Sequence, residues 1–230
     1  MNNVESLNSK NRDNQVVSKK RVTDHGEVYT AHKEVNAMLD LVKQETDRIE
    51  SRFLEPACGT GNFLAEVLHR KLKIVASRYS KSQLEYERYS ILAISSIYGI
   101  DILEDNVLEC RTRLFELFNE RYQSLYNDEA KEDCTKSVKY ILEKNIILGD
   151  ALSLKTIDET PKPIVFSEWA LVNGSMIKRR DFCFNDLLVF GKSSTSSSQL
   201  LLSDLGDNVF LPNPIKEYPP VHFLKISYAE

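Results

Sequence analysis

Apolar residues in the first two-thirds of the chain alternate between helical and extended spacing. Residues 34–43 place Val35, Met38, Leu39 and Val42 on one helical face. Residues 52–55 are a short apolar run halted by Pro56, which predicts a strand ending there. After a glycine-containing turn, Phe63, Leu64, Val67, Leu68, Lys71, Leu72 and Val75 carry the stripe of a second helix. Residues 82–95 predict another helix and residues 96–102 a strand. The clearest helical spacing covers 104–122, with Val107, Leu108, Leu114, Phe115, Phe118 and Tyr122 on one face and Arg111, Arg113 and Glu116 beside them. Residues 123–136 are polar and acidic and read as a loop. Residues 145–148 predict a third strand, closed by Gly149-Asp150. The order strand–helix–helix–strand–helix–strand implies an α/β chain with a parallel, doubly wound sheet.

The pattern changes after Ser153. Residues 162–169 and 175–184 read as strands or irregular extended segments. Residues 191–198 are a Ser-rich linker, with its serine run at 193–198, and the proline-rich tail leads to an edge strand over 222–227. Residues 1–21 are polar, without a hydrophobic period, and read as a flexible arm. This divides the chain into an arm (1–21), a core (22–155) and an irregular C-terminal extension (156–230). No internal repeat is visible.

Composition narrows the class. The chain has 230 residues, 42% hydrophobic and 28% charged, which excludes wholesale disorder. No apolar run approaches the ~18–20 residues of a membrane span, and the N-terminus lacks the apolar centre of a signal peptide, so the expectation is a cytoplasmic protein without membrane contact. The net charge of -4 argues against strong non-specific nucleic-acid affinity for the whole chain. A local patch remains open: Lys178-Arg179-Arg180 either contacts phosphates or is a solvated charged turn. Cys58, Cys110, Cys134 and Cys183 form no C-x-x-C pair and have no histidine at ligand spacing, so they read as structural thiols and no metal is expected.

The densest chemistry is Glu55-Pro56-Ala57-Cys58-Gly59-Thr60-Gly61-Asn62-Phe63. A strand delivers an acid into a turn of small residues, and a helix follows at once. Gly59 and Gly61 let a ligand approach the main chain. The helix start offers free N–H groups to an anion such as a carboxylate, and Glu55 offers an acceptor to a cationic or hydroxylated ligand.

This string resembles the first motif of S-adenosylmethionine-dependent DNA methyltransferases of the amino type. Further similar strings follow the order of the adenine-N6 enzymes of restriction–modification systems, in the subgroup of Taq-like and type I methylation subunits. His25-Gly26-Glu27-Val28-Tyr29-Thr30-Ala31 resembles the upstream cofactor motif, with Ala31 where proline is usual. Tyr98-Gly99-Ile100-Asp101-Ile102 resembles the second motif, whose acid binds the cofactor ribose. Gly149-Asp150-Ala151-Leu152 resembles the third, whose aspartate accepts from the cofactor adenine. The resemblance spans about residues 20–155. It implies a Rossmann-like methyltransferase fold, S-adenosyl-L-methionine as cofactor, and Tyr29, Thr30, residues 55–63, Asp101, Ile102, Asp150 and Ala151 as its binding set. Read alone, Asp101 is as well explained as a helix cap and Asp150 better explained as a turn residue.

The family's catalytic string, Asn/Asp/Ser-Pro-Pro-aromatic, is missing, so no catalytic residue is assigned. The nearest strings, Ser167-Glu168-Trp169, Asn213-Pro214-Ile215 and Tyr218-Pro219-Pro220, lack its order. Trp169 reads as a packed aromatic. Only the first three strands of the family's sheet are recognisable, so the fold is incomplete. The first strand would expose an apolar edge unless residues 163–190 or a partner chain cover it. Two functions follow. The chain is a DNA adenine-N6 methyltransferase or its cofactor-binding subunit, reaching DNA itself or through a partner specificity or methylation subunit in a homo- or hetero-oligomer. Alternatively it is a catalytically inactive S-adenosylmethionine-binding or assembly subunit. A dinucleotide-dependent oxidoreductase is disfavoured, because no third glycine follows at pyrophosphate spacing.

Overall fold

The computed structural model describes residues 21, 23, 30–188, 201–202, 208–209 and 213–228. Except for Arg21, the expected arm lies outside these residues, as do the Ser-rich linker and Tyr29. The chain is mixed α/β. Helices α1 (His32–Leu41) and α2 (Lys43–Thr46) precede β1 (Phe53–Glu55). Then come α3 (Asn62–Tyr79), α4 (Gln83–Ser95), β2 (Ile97–Asp101), α5 (Glu104–Tyr126), α6 (Glu132–Asn145) and β3 (Ile146–Asp150).

β1, β2 and β3 pair in parallel in that order, with Leu54 opposite Tyr98 and Ile100 opposite Ile147. Parallel neighbours need long crossovers, and each crossover here is a helix pair, α3–α4 or α5–α6. β4 (Lys155–Thr156) adds antiparallel to β3. All five residues of β2 are buried, as expected for a strand covered on both faces. Among the described residues no helix is long and apolar enough to cross a membrane.

Of the expected α3 stripe, Leu64, Val67, Leu68, Lys71, Leu72 and Val75 are buried and Phe63 is half-buried. Lys71 donates to Ile49 O at 3.0 Å, to Ser96 Oγ at 2.5 Å and to Ser51 O. It thereby ties the segment before β1 to the start of β2. Burial pushes its pKa down to about 7.

Other expectations need correction. The helix expected over 34–43 begins and ends two residues earlier, and Met38 and Val42 lie exposed while Val35 and Leu39 are buried. Leu108 is also exposed. The largest miss is the loop expected over 123–136. α5 continues to Tyr126, a 3-10 turn covers Asn127–Glu129, and α6 begins at Glu132. The buried face of α6 is Cys134, Ser137, Val138, Ile141, Leu142 and Asn145. Ser137 and Asn145 are polar and Cys134 is small, which hides the helical period of that face from a count of large apolar residues.

The C-terminal part is not irregular throughout. β5 (Val165–Asn173) and β6 (Met176–Cys183) form an antiparallel hairpin followed by α7 (Phe184–Leu188). β7 (Leu201–Leu202) pairs with β8 (Asn208–Val209), and β9 (Lys216–Glu217) and β10 (Val221–His222) pair with β6. The edge strand expected over 222–227 is instead a 3-10 helix, Phe223–Tyr228, because Phe223 and Ile226 turn one face into the main core. Trp169 is in that core too, and its Nε1 donates to Oδ1 of fully buried Asn145 at 3.2 Å. Asn145 Nδ2 in turn donates to Ser95 O and Ile97 O. Trp169→Phe should therefore lower the urea-unfolding free energy by about 1–2 kcal/mol, the cost of a buried acceptor left unpaired. An unchanged midpoint would show that this bond contributes nothing.

A second cluster, Tyr98, Ile100, Ile164, Phe166 and Phe184, lies between the hairpin and the sheet face opposite the helices. Tyr98 Oη donates to Ser167 O at 3.2 Å. The described part of the expected covering stretch, residues 163–188, thus lies over the face of β2. Among the described residues it does not pair with the free edge of β1.

Candidate functional site

The turn from β1 into α3 is built on two left-handed glycines, Gly59 (φ 51°) and Gly61 (φ 84°). Gly61 N donates to Cys58 O at 2.8 Å, and Gly61 O then accepts from Ala65 N at 2.8 Å as the first helical bond. A side chain at Gly61 would meet Cys110 Sγ at 2.7 Å, so α5 lies directly against the turn. Gly99 of β2 is also confined, though less tightly, with Cys58 Sγ 3.0 Å from where its Cβ would be. No side chain caps α3, so the amides of its first turn are not claimed by a cap.

Three acids stand at the carboxyl ends of the three parallel strands: Glu55 on β1, Asp101 on β2 and Asp150 on β3. Burial pushes the Glu55 carboxyl up, and its Oε1 accepts only a long bond, 3.4 Å, from Ala57 N. Asp101 is buried and holds the turn closed. Its Oδ2 accepts from Gly59 N at 2.8 Å, and its Oδ1 accepts from Leu103 N at 2.9 Å and Asn106 Nδ2 at 3.1 Å. A carboxylate has about four acceptor positions, which leaves one open on Oδ2. Asp150 accepts from Leu152 N at 2.9 Å and Ser153 N at 3.3 Å, and those bonds hold its carboxyl low. One position on each of its oxygens stays open.

The upstream motif reaches this place in part. Thr30 O accepts from Asn62 Nδ2 at 3.4 Å, and Asn62 Oδ1 accepts from Arg113 on α5. Pro56 and Ala57 are exposed, while Cys58, Thr60 and Gly61 are buried beneath the turn. Phe63 packs on the main core, Ile102 is exposed, and Ala151 packs on the second cluster. Asn106 was not anticipated. Its signal is positional, since it lies five residues after Asp101 in the first turn of α5.

The basic cluster is not a turn but part of a strand. Lys178, Arg179 and Arg180 sit on β6 and pair with Glu217, Asp181 and Glu168. Arg179 also donates to Tyr140 Oη at 2.8 Å and faces the ring of Tyr218. An open cavity of about 390 Å³ lies away from the turn, beside β1, between that strand and the hairpin.

No family model, no curated protein and no solved structure matches this chain.

Proposed function

We propose that this chain is the S-adenosylmethionine-binding half of a DNA adenine-N6 methyltransferase of a restriction–modification system, with a Rossmann-like methyltransferase core. The observation that carries the reading is the bond from Gly59 N to Asp101. It joins the small-residue turn after β1 to the acid ending β2, on the side where parallel α/β sheets receive ligands. The donor and acceptor set suits this cofactor. The uncapped amides of α3 would take its carboxylate, and Glu55 its ammonium. The open position on Asp101 Oδ2 would take a ribose hydroxyl, and Asp150 the adenine amino group. When bound, the cofactor supplies a methyl group already activated on a sulfonium, so what the protein adds is position. Glu55 suits an ammonium in particular, because a cation beside it would offset the burial that now raises its carboxyl.

Calorimetry with S-adenosylmethionine tests this. The wild type should bind, and Asp150→Ala should bind about tenfold more weakly, the size of one or two lost hydrogen bonds. Asp101→Asn should bind at least as poorly and should also melt earlier, because Asp101 holds Gly59, Leu103 and Asn106. No heat from the wild type would sink the reading. In a labelled-methyl assay the chain alone should leave DNA unmethylated, since the acceptor-binding string is missing. Incorporation by the isolated chain would make it a complete enzyme instead.

A further inference from the structure

We infer that the free edge of β1 and the groove beside it receive an extended strand from another polypeptide. Phe53 N donates to Ser96 O at 2.9 Å, so strand alternation turns the Leu54 N–H and C=O away from β2. Among the described residues no strand pairs with that side. Leu54 is 41% exposed, although its neighbour across the pair, Tyr98, is buried. An exposed apolar edge is a liability that folded proteins usually cover.

The groove has the chemistry of a strand site. Phe53, Leu54, Tyr98, Phe166, Phe182 and Leu187 supply an apolar floor and wall. The rim carries Arg52 and Arg180, and both contact the single carboxylate of Glu168. Two guanidiniums on one carboxylate leave a positive charge uncompensated. Arg52 remains 62% exposed. The occupant is therefore an extended segment with apolar side chains facing the groove and a carboxylate at the Arg52 end. Main-chain bonds to Leu54 would give it affinity, and the groove would give it specificity. That this strand belongs to the acceptor-binding half of the enzyme rests on the function proposed above. The surface itself does not.

The test is a titration of the uniformly ¹⁵N-labelled full chain with a short acetylated peptide of alternating valine and threonine carrying one aspartate near its amino end. Amide shifts should be confined to residues 52–55, 98, 166–168 and 180–187. Exchange of the Leu54 N–H should slow about tenfold, the size of one added hydrogen bond. The same peptide N-methylated on its edge-facing amides should not bind, and Arg52→Glu should weaken the parent peptide about tenfold. No shifts at millimolar peptide, shifts elsewhere, or equal binding of the N-methylated form would overturn the inference. So would a dimer of the chain alone that Arg52→Glu abolishes, which would make the occupant a second copy. Calorimetry with S-adenosylmethionine on the same sample separates the two proposals. Peptide binding without cofactor heat leaves the surface standing and removes the function. Cofactor heat without peptide shifts does the reverse.

Discussion

The stability difference between the wild-type chain and Lys71→Met should grow in favour of the wild type by about 1.4 kcal/mol per pH unit between pH ~7 and ~10. An unfolded lysine ionises near ~10.4, whereas burial pushes Lys71 down to about 7 in the fold. Between those values the unfolded chain holds a proton that the folded chain has released, so stability from this group rises with pH. Below the folded value both states are protonated, and the fold carries the full cost of a buried ammonium. Above ~10.4 both are neutral and the difference levels off. The methionine variant lacks this titration.

The wild type's own curve should turn over sooner, at roughly pH 8–9, where unfolded thiols release their protons. Cys58 is held up first by its hydrogen bond with Cys110 and then by burial, and Cys134 is held up by burial. Both keep their protons in the fold above that point, so their contribution falls as pH rises. Urea titrations of both proteins at several pH values read the difference directly. A difference independent of pH would mean that Lys71 keeps its charge throughout.

Gly61→Ala should cost about 2–5 kcal/mol and, on the function proposed above, abolish S-adenosylmethionine binding. A left-handed φ of 84° costs an alanine ~1–2 kcal/mol. The new methyl group would also stand 2.7 Å from Cys110 Sγ, and overpacking a fixed core costs a further ~1–3 kcal/mol. The two parts can be separated. Gly174 has φ 53° with nothing within 4 Å of a built Cβ, so Gly174→Ala should show the conformational cost alone. Adding Cys110→Ala to Gly61→Ala should recover the packing part, measured as coupling in a double-mutant cycle. If Gly61→Ala unfolds at the same urea concentration as Gly174→Ala, the turn is not pressed against α5.

Local pattern made the β1–α3–α4–β2–α5 half of the fold legible. The α3 stripe from Leu64 to Val75 is buried residue for residue, and the strands before Pro56 and around Ile97–Asp101 are where their apolar runs place them. The misses share a cause. α6 buries Ser137 and Asn145 beside the small Cys134, and a count of large apolar residues does not mark such a face. The strand expected over residues 222–227 becomes a 3-10 helix because Phe223 and Ile226 find apolar partners far away in the chain. At the site, Glu55, Asp101 and Asp150 are legible as acids ending strands, whereas Asn106 is not, since its role depends on Asp101 turning back over α5.

The sequence by itself determined what depends on neighbours along the chain: the small-residue turn, the acid closing each parallel strand, and the absence of a proline-proline catalytic string. The tertiary structure alone decided which of those groups are already engaged. Gly59, Leu103 and Asn106 fill three acceptor positions on Asp101, and Glu217, Asp181 and Glu168 pair with the basic cluster of Lys178, Arg179 and Arg180. It also decided that, among the described residues, β1 is an edge with its apolar side open to a groove. The physical reason is the same in each case. A hydrogen bond or ion pair needs a partner a few ångströms away, and folding brings those partners from distant positions that spacing along the chain does not reveal.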